Sequence, residues 1–134
     1  MPRTNGIARS PFGLWGPPAA YAGVIFWLSG RPLLEEAALL PLWLQIDKVQ
    51  HGMAYAGLTA LCLRALARAQ WEGITIRRAA VAVLVCVLYG VSDEWHQSFV
   101  PERSADVADV FADAGGAVFS GVALRAWGII KGAR

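Results

Sequence analysis

Apolar residues run in long blocks along this chain, and polar residues collect in short stretches between them. Leu14–Leu28 is the first apolar block, and Ser29-Gly30-Arg31-Pro32 ends it. A second block follows Asp47-Lys48-Val49-Gln50-His51, a third is unbroken from Ala79 to Val91, and a fourth runs to Ile130. Blocks of this length are helical. They predict four helices over roughly 14–30, 47–69, 77–98 and 105–130, each about long enough to cross a bilayer. Pro17 and Pro18 suit the first turn of the first helix, where a missing N–H costs nothing. Asp47 suits an N-cap or first turn, Pro101 stops the third helix, and Ser104 is a plausible N-cap for the fourth. Leu33–Ile46 carries Glu35, Glu36 and Pro41 and reads as an interfacial segment or loop. The expected fold is all-α, a four-transmembrane-helix bundle with short loops in one domain spanning residues 1–134. No internal repeat or low-complexity stretch divides it.

The polar positions repeat the helical period. Asp47, His51 and Tyr55 are spaced i, i+4, i+8; Asp93 and Gln97 are i, i+4; Asp106, Asp109 and Asp113 are i, i+3, i+7, which places each set on one helix face. Gly116 and Ser120 continue the last face, and Gly52, Ala56 and Ala60 form a row of small residues on the second helix. Such rows let membrane helices approach closely, so helices two and four should pack tightly below the polar positions. At about 1.5 Å rise per residue, Asp93 stands about 24 Å above Arg77, His51 about 26 Å above Arg68 and Asp113 about 27 Å above Lys131. Three helices therefore bring ionisable groups to one level.

Composition sharpens this picture. The 134 residues are 56% hydrophobic and only 16% charged, against about 25% charged for an ordinary soluble domain. No basic, aromatic-interleaved patch points to nucleic acid. Of the 12 Lys and Arg, a topology with both termini in the cytoplasm places Arg3, Arg9, Arg64, Arg68, Arg77, Arg78, Arg125, Lys131 and Arg134 inside. Only Arg31, Lys48 and Arg103 then lie outside, as the positive-inside rule requires. Ala20–Ala22, the one Ala-x-Ala of the first apolar run, lies within that run and not after it, where a signal-peptide cleavage site belongs, so the run reads as an anchor. Cys62 and Cys86 sit alone in apolar runs and read as small core residues.

Candidate chemistry lies in Ser92–Gly116 and in the start of the second helix. Asp47, Lys48, His51, Asp93, Glu94, Gln97, Arg103, Asp109 and Asp113 are the candidate ligand-binding residues. Arg103 can clamp a carboxylate or phosphate with two parallel bonds, and Lys48 offers a point charge. His51, oriented by Asp47 or Asp93, can carry a proton near neutral pH. Any catalysis would fall to His51, Asp93 or Asp109, and no convincing nucleophile accompanies them; Ser98 and Ser104 are near only in sequence. The His and Asp residues have mixed N/O chemistry suited to zinc or manganese, but no HExxH or equivalent motif is present, so the sequence assigns no metal and names no cofactor. The same residues also read as interhelical glue, with carboxylates paired to Lys48 and Arg103. A transporter needs polar residues past midplane, whereas Leu58–Leu63, Ala80–Leu88 and Ala117–Leu124 are almost wholly apolar.

Four elements together resemble the VanZ-like membrane proteins: Phe26-Trp27-Leu28-Ser29; Asp47-Lys48-x-x-His51-x-x-x-Tyr55-x-x-Leu58; Asp93-Glu94-x-x-Gln97-x-Phe99-x-Pro101-x-Arg103; and Asp109-x-x-x-Asp113-x-x-Gly116. The resemblance covers about Phe26 to Gly121. This chain departs from it at Glu102, where glycine is usual, and at Asp113, where asparagine is common. The resemblance implies a multi-pass protein of the bacterial inner membrane, in a family named for a member associated with resistance to the glycopeptide teicoplanin. It implies a role at the cell envelope and no settled activity. The partners it suggests are the lipid bilayer and a lipid-linked or cell-wall precursor; it leaves room for a homo-oligomer. The alternative is a non-catalytic scaffold.

Overall fold

The computed structural model describes residues 9–31 and 46–133. Four helices account for most of them: α1 (Pro11–Ser29), α2 (Asp47–Leu66), α3 (Ile76–Gln97) and α4 (Val107–Gly132). No strand occurs among the described residues, so the fold is all-α as expected. The expected interfacial segment, Leu33–Ile46, lies outside the described residues apart from Ile46.

The first helix begins earlier than Pro17 and Pro18 suggest. The Ser10 hydroxyl accepts the Gly13 N–H at 3.0 Å and caps the helix, with Pro11 just inside its start. Pro17 and Pro18 are therefore interior. An interior proline has no N–H for the carbonyl four residues back. The carbonyl that Pro17 leaves without its helical donor, Gly13 O, accepts instead from Arg64 Nη1 of α2 at 3.2 Å. The fourth helix starts later than Ser104. Asp106 is its N-cap, with Oδ1 accepting the Ala108 N–H at 2.9 Å. A short acidic side chain two residues from an orphan N–H caps more strongly than a serine outside the turn.

α2 packs along α4 and also meets α1 and α3, while α3 packs on α4. The small-residue rows act where expected. A Cβ on Gly116 would run into the Gly52 backbone, so the two backbones touch and any side chain there forces the helices apart. Below this crossing the core is Tyr55, Leu58, Cys62, Leu63, Ala82, Cys86 and Ala117. Both cysteines are free and buried.

Each of two helices carries one buried stripe that changes chemistry along its length. On α3 it is Ala79, Ala82, Cys86, Gly90, Asp93 and Gln97; on α4 it is Asp109, Asp113, Ala117, Ser120 and Gly128. The same face is small and apolar at one end of the bundle and acidic at the other. The opposite faces are exposed and apolar, including Leu84, Leu88 and Val91 on α3 and Phe111, Phe119, Val122 and Ile130 on α4. Among the described residues, α4 is the one helix long and apolar enough to cross a membrane by length and composition.

Candidate functional site at the acidic end of the bundle

The start of α2, the end of α3, the α3–α4 turn and the start of α4 meet at one end. They build three linked groups.

In the first, Lys48 Nζ is surrounded by carboxylates. It donates to Asp106 Oδ2 at 2.8 Å, to Asp47 Oδ2 at 3.2 Å and to Asp109 Oδ1. Glu94 accepts the backbone N–H of Asp106, tying α3 to the α4 cap. The Lys48 ammonium, helped by the Ala108 N–H, holds the Asp106 carboxyl below its ordinary range; Asp106 precedes α4 and is open to solvent.

The second group is His51 and Asp113. Their Nδ1 and Oδ1 atoms lie 2.9 Å apart, and Asp113 is only 1% exposed. A buried carboxylate needs such a partner. Gly90 makes room for it: a Cβ there would lie 3.0 Å from Asp113 Oδ2 and 3.2 Å from the Tyr55 ring. The other imidazole nitrogen, Nε2, faces Asp47 Oδ1 at 3.8 Å and Asp109 Oδ2 at 3.9 Å. One ligand atom each from Asp47, His51 and Asp109 lie within 4.8 Å of one another.

The third group lines a cavity of about 270 Å³ between α1, α2 and α3. Buried Asp93 accepts from Ser29 Oγ at 2.6 Å and from Gln97 Nε2 at 3.3 Å. Gln97 Oε1 accepts from Arg103 Nη1 at 3.0 Å. Ser29, Asp47, His51, Tyr55, Asp93, Gln97 and Arg103 all contribute to the wall, with Ile25 and Leu28 beside them. Asp47, half exposed, marks the rim. Two buried donors in this wall have no hydrogen-bond partner among the described residues: Arg103 Nε and Tyr55 Oη.

Several expected roles change. His51 is bonded by Asp113, not by Asp47 or Asp93, because Asp113 lies behind it on the adjacent α4 face and Asp93 is turned to Ser29. Lys48 is enclosed by three carboxylates and does not line the cavity. Arg103 bonds the Gln97 amide and makes no ion pair among the described residues. Asp109, Asp113 and Glu94 stand behind the cavity wall. His96 is on another face, stacked on Phe26 at 4.1 Å; Ser98 and Ser104 are exposed.

Sequence reasoning missed Ser29 as a site residue, Gln50 in the cavity wall and the packing role of Gly90. A signal existed for two of them: Ser29 closes the Phe26-Trp27-Leu28-Ser29 element, and Gly90 continues the small-residue stripe of Ala82 and Cys86 toward Asp93. Tyr55 reads from sequence as packing; its 1% exposure agrees, but its unpartnered hydroxyl belongs to the cavity.

A family model described as VanZ/LLP1 matches residues 10–128. The chain belongs to the VanZ/LLP1 family. No curated protein and no solved structure matches it. VanZ-family proteins are generally membrane-associated, which suits the apolar outer faces of α3 and α4. The VanZ-like elements picked out in the sequence thus fall largely into this one constellation. Where the family usually has glycine, Glu102 takes a left-handed backbone, φ 66°, a conformation in which a side chain is strained.

Proposed function

We propose that this VanZ/LLP1 protein spans the membrane with all four helices, both termini in the cytoplasm and the acidic end facing outward. There its cavity binds the anionic headgroup of a lipid-linked or cell-envelope intermediate. Exposed apolar side chains on α1, α3 and α4 support a lipid-facing exterior, since soluble monomers rarely expose contiguous apolar faces of this extent. The distribution of Lys and Arg supports the orientation.

One observation carries the ligand reading. Of the Lys and Arg at this end, Arg31 stacks over the Trp27 ring and Lys48 is enclosed by carboxylates, whereas Arg103 lies in the cavity wall with a buried Nε that has no hydrogen-bond partner among the described residues. A buried donor left unpaired costs about 1–3 kcal/mol, and a phosphate or carboxylate entering the cavity removes that cost with charge-assisted bonds. Ile25 and Leu28 supply an apolar flank for the start of a lipid chain.

The test is binding in detergent of a long-chain isoprenyl phosphate and of the matched uncharged isoprenol, in the presence of a chelator. The phosphate should bind and the alcohol should not, and Arg103→Ala should abolish the difference. Equal binding of both, or full binding by Arg103→Ala, rejects the reading. Cysteine labelling at Ser98 and Ser104 tests orientation: modification by an impermeant reagent from outside is expected, and modification only from the cytoplasmic side rejects it.

A second reading has support of its own. The Lys48 and His51–Asp113 contacts tie α2 to α4, and Glu94 ties α3 to the α4 cap, so these residues serve as a structural lock and the protein as a scaffold. It predicts that their loss lowers stability first.

A further inference from the structure

We infer that Asp47, His51 and Asp109 form a binding site for one divalent transition ion of the zinc or manganese class, at the rim of the cavity. This rests on geometry apart from the proposed anionic ligand.

The first argument is the state of His51. A carboxylate accepts hydrogen bonds and does not donate them when ionised. Asp113 at 2.9 Å from Nδ1 therefore accepts the Nδ1 proton and leaves Nε2 facing Asp47 and Asp109, where an entering cation displaces any Nε2 proton. Metal-bound histidines are held in this way, with the second nitrogen on a carboxylate that sets tautomer and ring orientation.

The second argument is how the two aspartates are shared. Lys48 takes one oxygen of each, Asp47 Oδ2 and Asp109 Oδ1. The other oxygens, Asp47 Oδ1 and Asp109 Oδ2, are turned to Nε2 at 3.8 and 3.9 Å. Those separations are too long for hydrogen bonds. Ligands on a tetrahedral ion with bonds near 2.1 Å stand about 3.4 Å apart; the three ligand atoms lie within 4.8 Å of one another, so the site closes around an ion by a modest side-chain movement. One nitrogen and two carboxylate oxygens suit zinc or manganese better than the all-oxygen ions calcium and magnesium.

The third argument is charge and access. Asp47, Asp106, Asp109 and Asp113 share one lysine and one histidine, leaving an excess of negative charge at a partly buried place. Asp47 and His51 line the cavity, and Asp109 stands behind them. Tyr55, 1% exposed, lines the same cavity, and its buried hydroxyl has no hydrogen-bond partner among the described residues. That unpaired donor is independent of the acidic groups and points to a ligand in the space that Asp47 and His51 also line.

The experiment uses the full chain, purified in detergent and stripped with a chelator, titrated with Zn²⁺ or Mn²⁺ alone and no phosphate compound present. One ion per chain should bind, with magnesium far weaker. His51→Gln and Asp109→Asn should each weaken binding about 100-fold or more, and Asp113→Asn about 10–100-fold through the second nitrogen. Added metal should raise the Tm of the wild type and not of His51→Gln. Absence of stoichiometric binding, or undiminished binding by His51→Gln, overturns the site. Should His51→Gln fail to fold, Asp47→Asn at the exposed rim decides: retained affinity there overturns the site equally. The phosphate binding under "Proposed function" is read with chelator present, so either result can fail alone.

Discussion

Lys48 and Arg103 both lie at the acidic end of this bundle, where Arg31 stacks over the Trp27 ring, and they are used in opposite ways. Lys48 sits on the first turn of α2 and is enclosed by Asp47, Asp106 and Asp109. Arg103 sits in the turn before α4, touches the neutral Gln97 amide and faces a cavity. One cation is neutralised internally and holds α2 to α4. The other keeps its charge for something else. Residue type alone marks both as anion clamps; only the neighbours separate a lock from a receptor.

The comparison breaks most sharply at Arg103. Arg103→Ala removes a partly buried cation that makes no ion pair among the described residues, so isoprenyl phosphate affinity should fall by about 2–5 kcal/mol, the range for truncating a buried charged partner. Thermal stability should change little, because the bond lost on the protein side is one hydrogen bond to Gln97. If the Tm collapses while phosphate affinity holds, Arg103 belongs with Lys48 in the lock.

Asp113→Ala tests the lock from inside. Asp113 is 1% exposed and bonded to His51. Its loss leaves an imidazole N–H without a partner, and stability should drop by about 1–3 kcal/mol. Unfolding monitored by circular dichroism in detergent reads this directly. Unchanged stability would mean that the α2–α4 contact is held by the Gly52–Gly116 crossing and the Lys48 pairs without need of the His51–Asp113 bond.

Much of this end was legible from spacing. Asp47–His51, Asp93–Gln97 and Asp109–Asp113 are each i, i+4, and residues at that interval share a helix face whatever the tertiary fold. The small rows at Gly52 and Gly116 were legible for the same reason. What spacing does not encode is which faces meet. His51 could have turned to Asp93 on α3 or to Asp113 on α4, and the choice depends on how closely α2 and α4 approach. The start of α1 was misplaced because Pro17-Pro18 is a strong local signal for a first turn, while the compensating Arg64 to Gly13 contact is 51 residues distant in sequence. The four-span reading rests on apolar runs, and among the described residues α4 is the helix that qualifies by length and composition.

The turn that carries Arg103 sharpens the comparison further. Glu102 holds φ at 66°, where non-glycine residues pay about 1–3 kcal/mol. Glu102→Gly removes that strain but adds freedom to the unfolded chain, so a net gain of about 1 kcal/mol is expected. If phosphate affinity falls in this more stable variant, rigidity of the turn is part of how Arg103 is presented.

The smallest effect isolates the Lys48 pair with Asp106. Asp106 both caps α4 and bonds Lys48. Asn and Asp cap about equally well, so Asp106→Asn keeps the cap and removes only the charge. The native carboxyl titrates below its ordinary value because Lys48 favours the ionised form. A group depressed in this way stabilises the fold above its unfolded pKa, and the contribution fades as pH falls through that value toward the folded one. Stability of the wild type should therefore decline below about pH 4 slightly more steeply than that of Asp106→Asn, and the two should run parallel near neutrality with the wild type marginally higher. Exposed ion pairs are weak and salt-screened, so the difference should shrink in high salt. A large gap that persists in salt would place Asp106 in a less solvated setting, and Lys48 with it, extending the lock to the surface of the bundle.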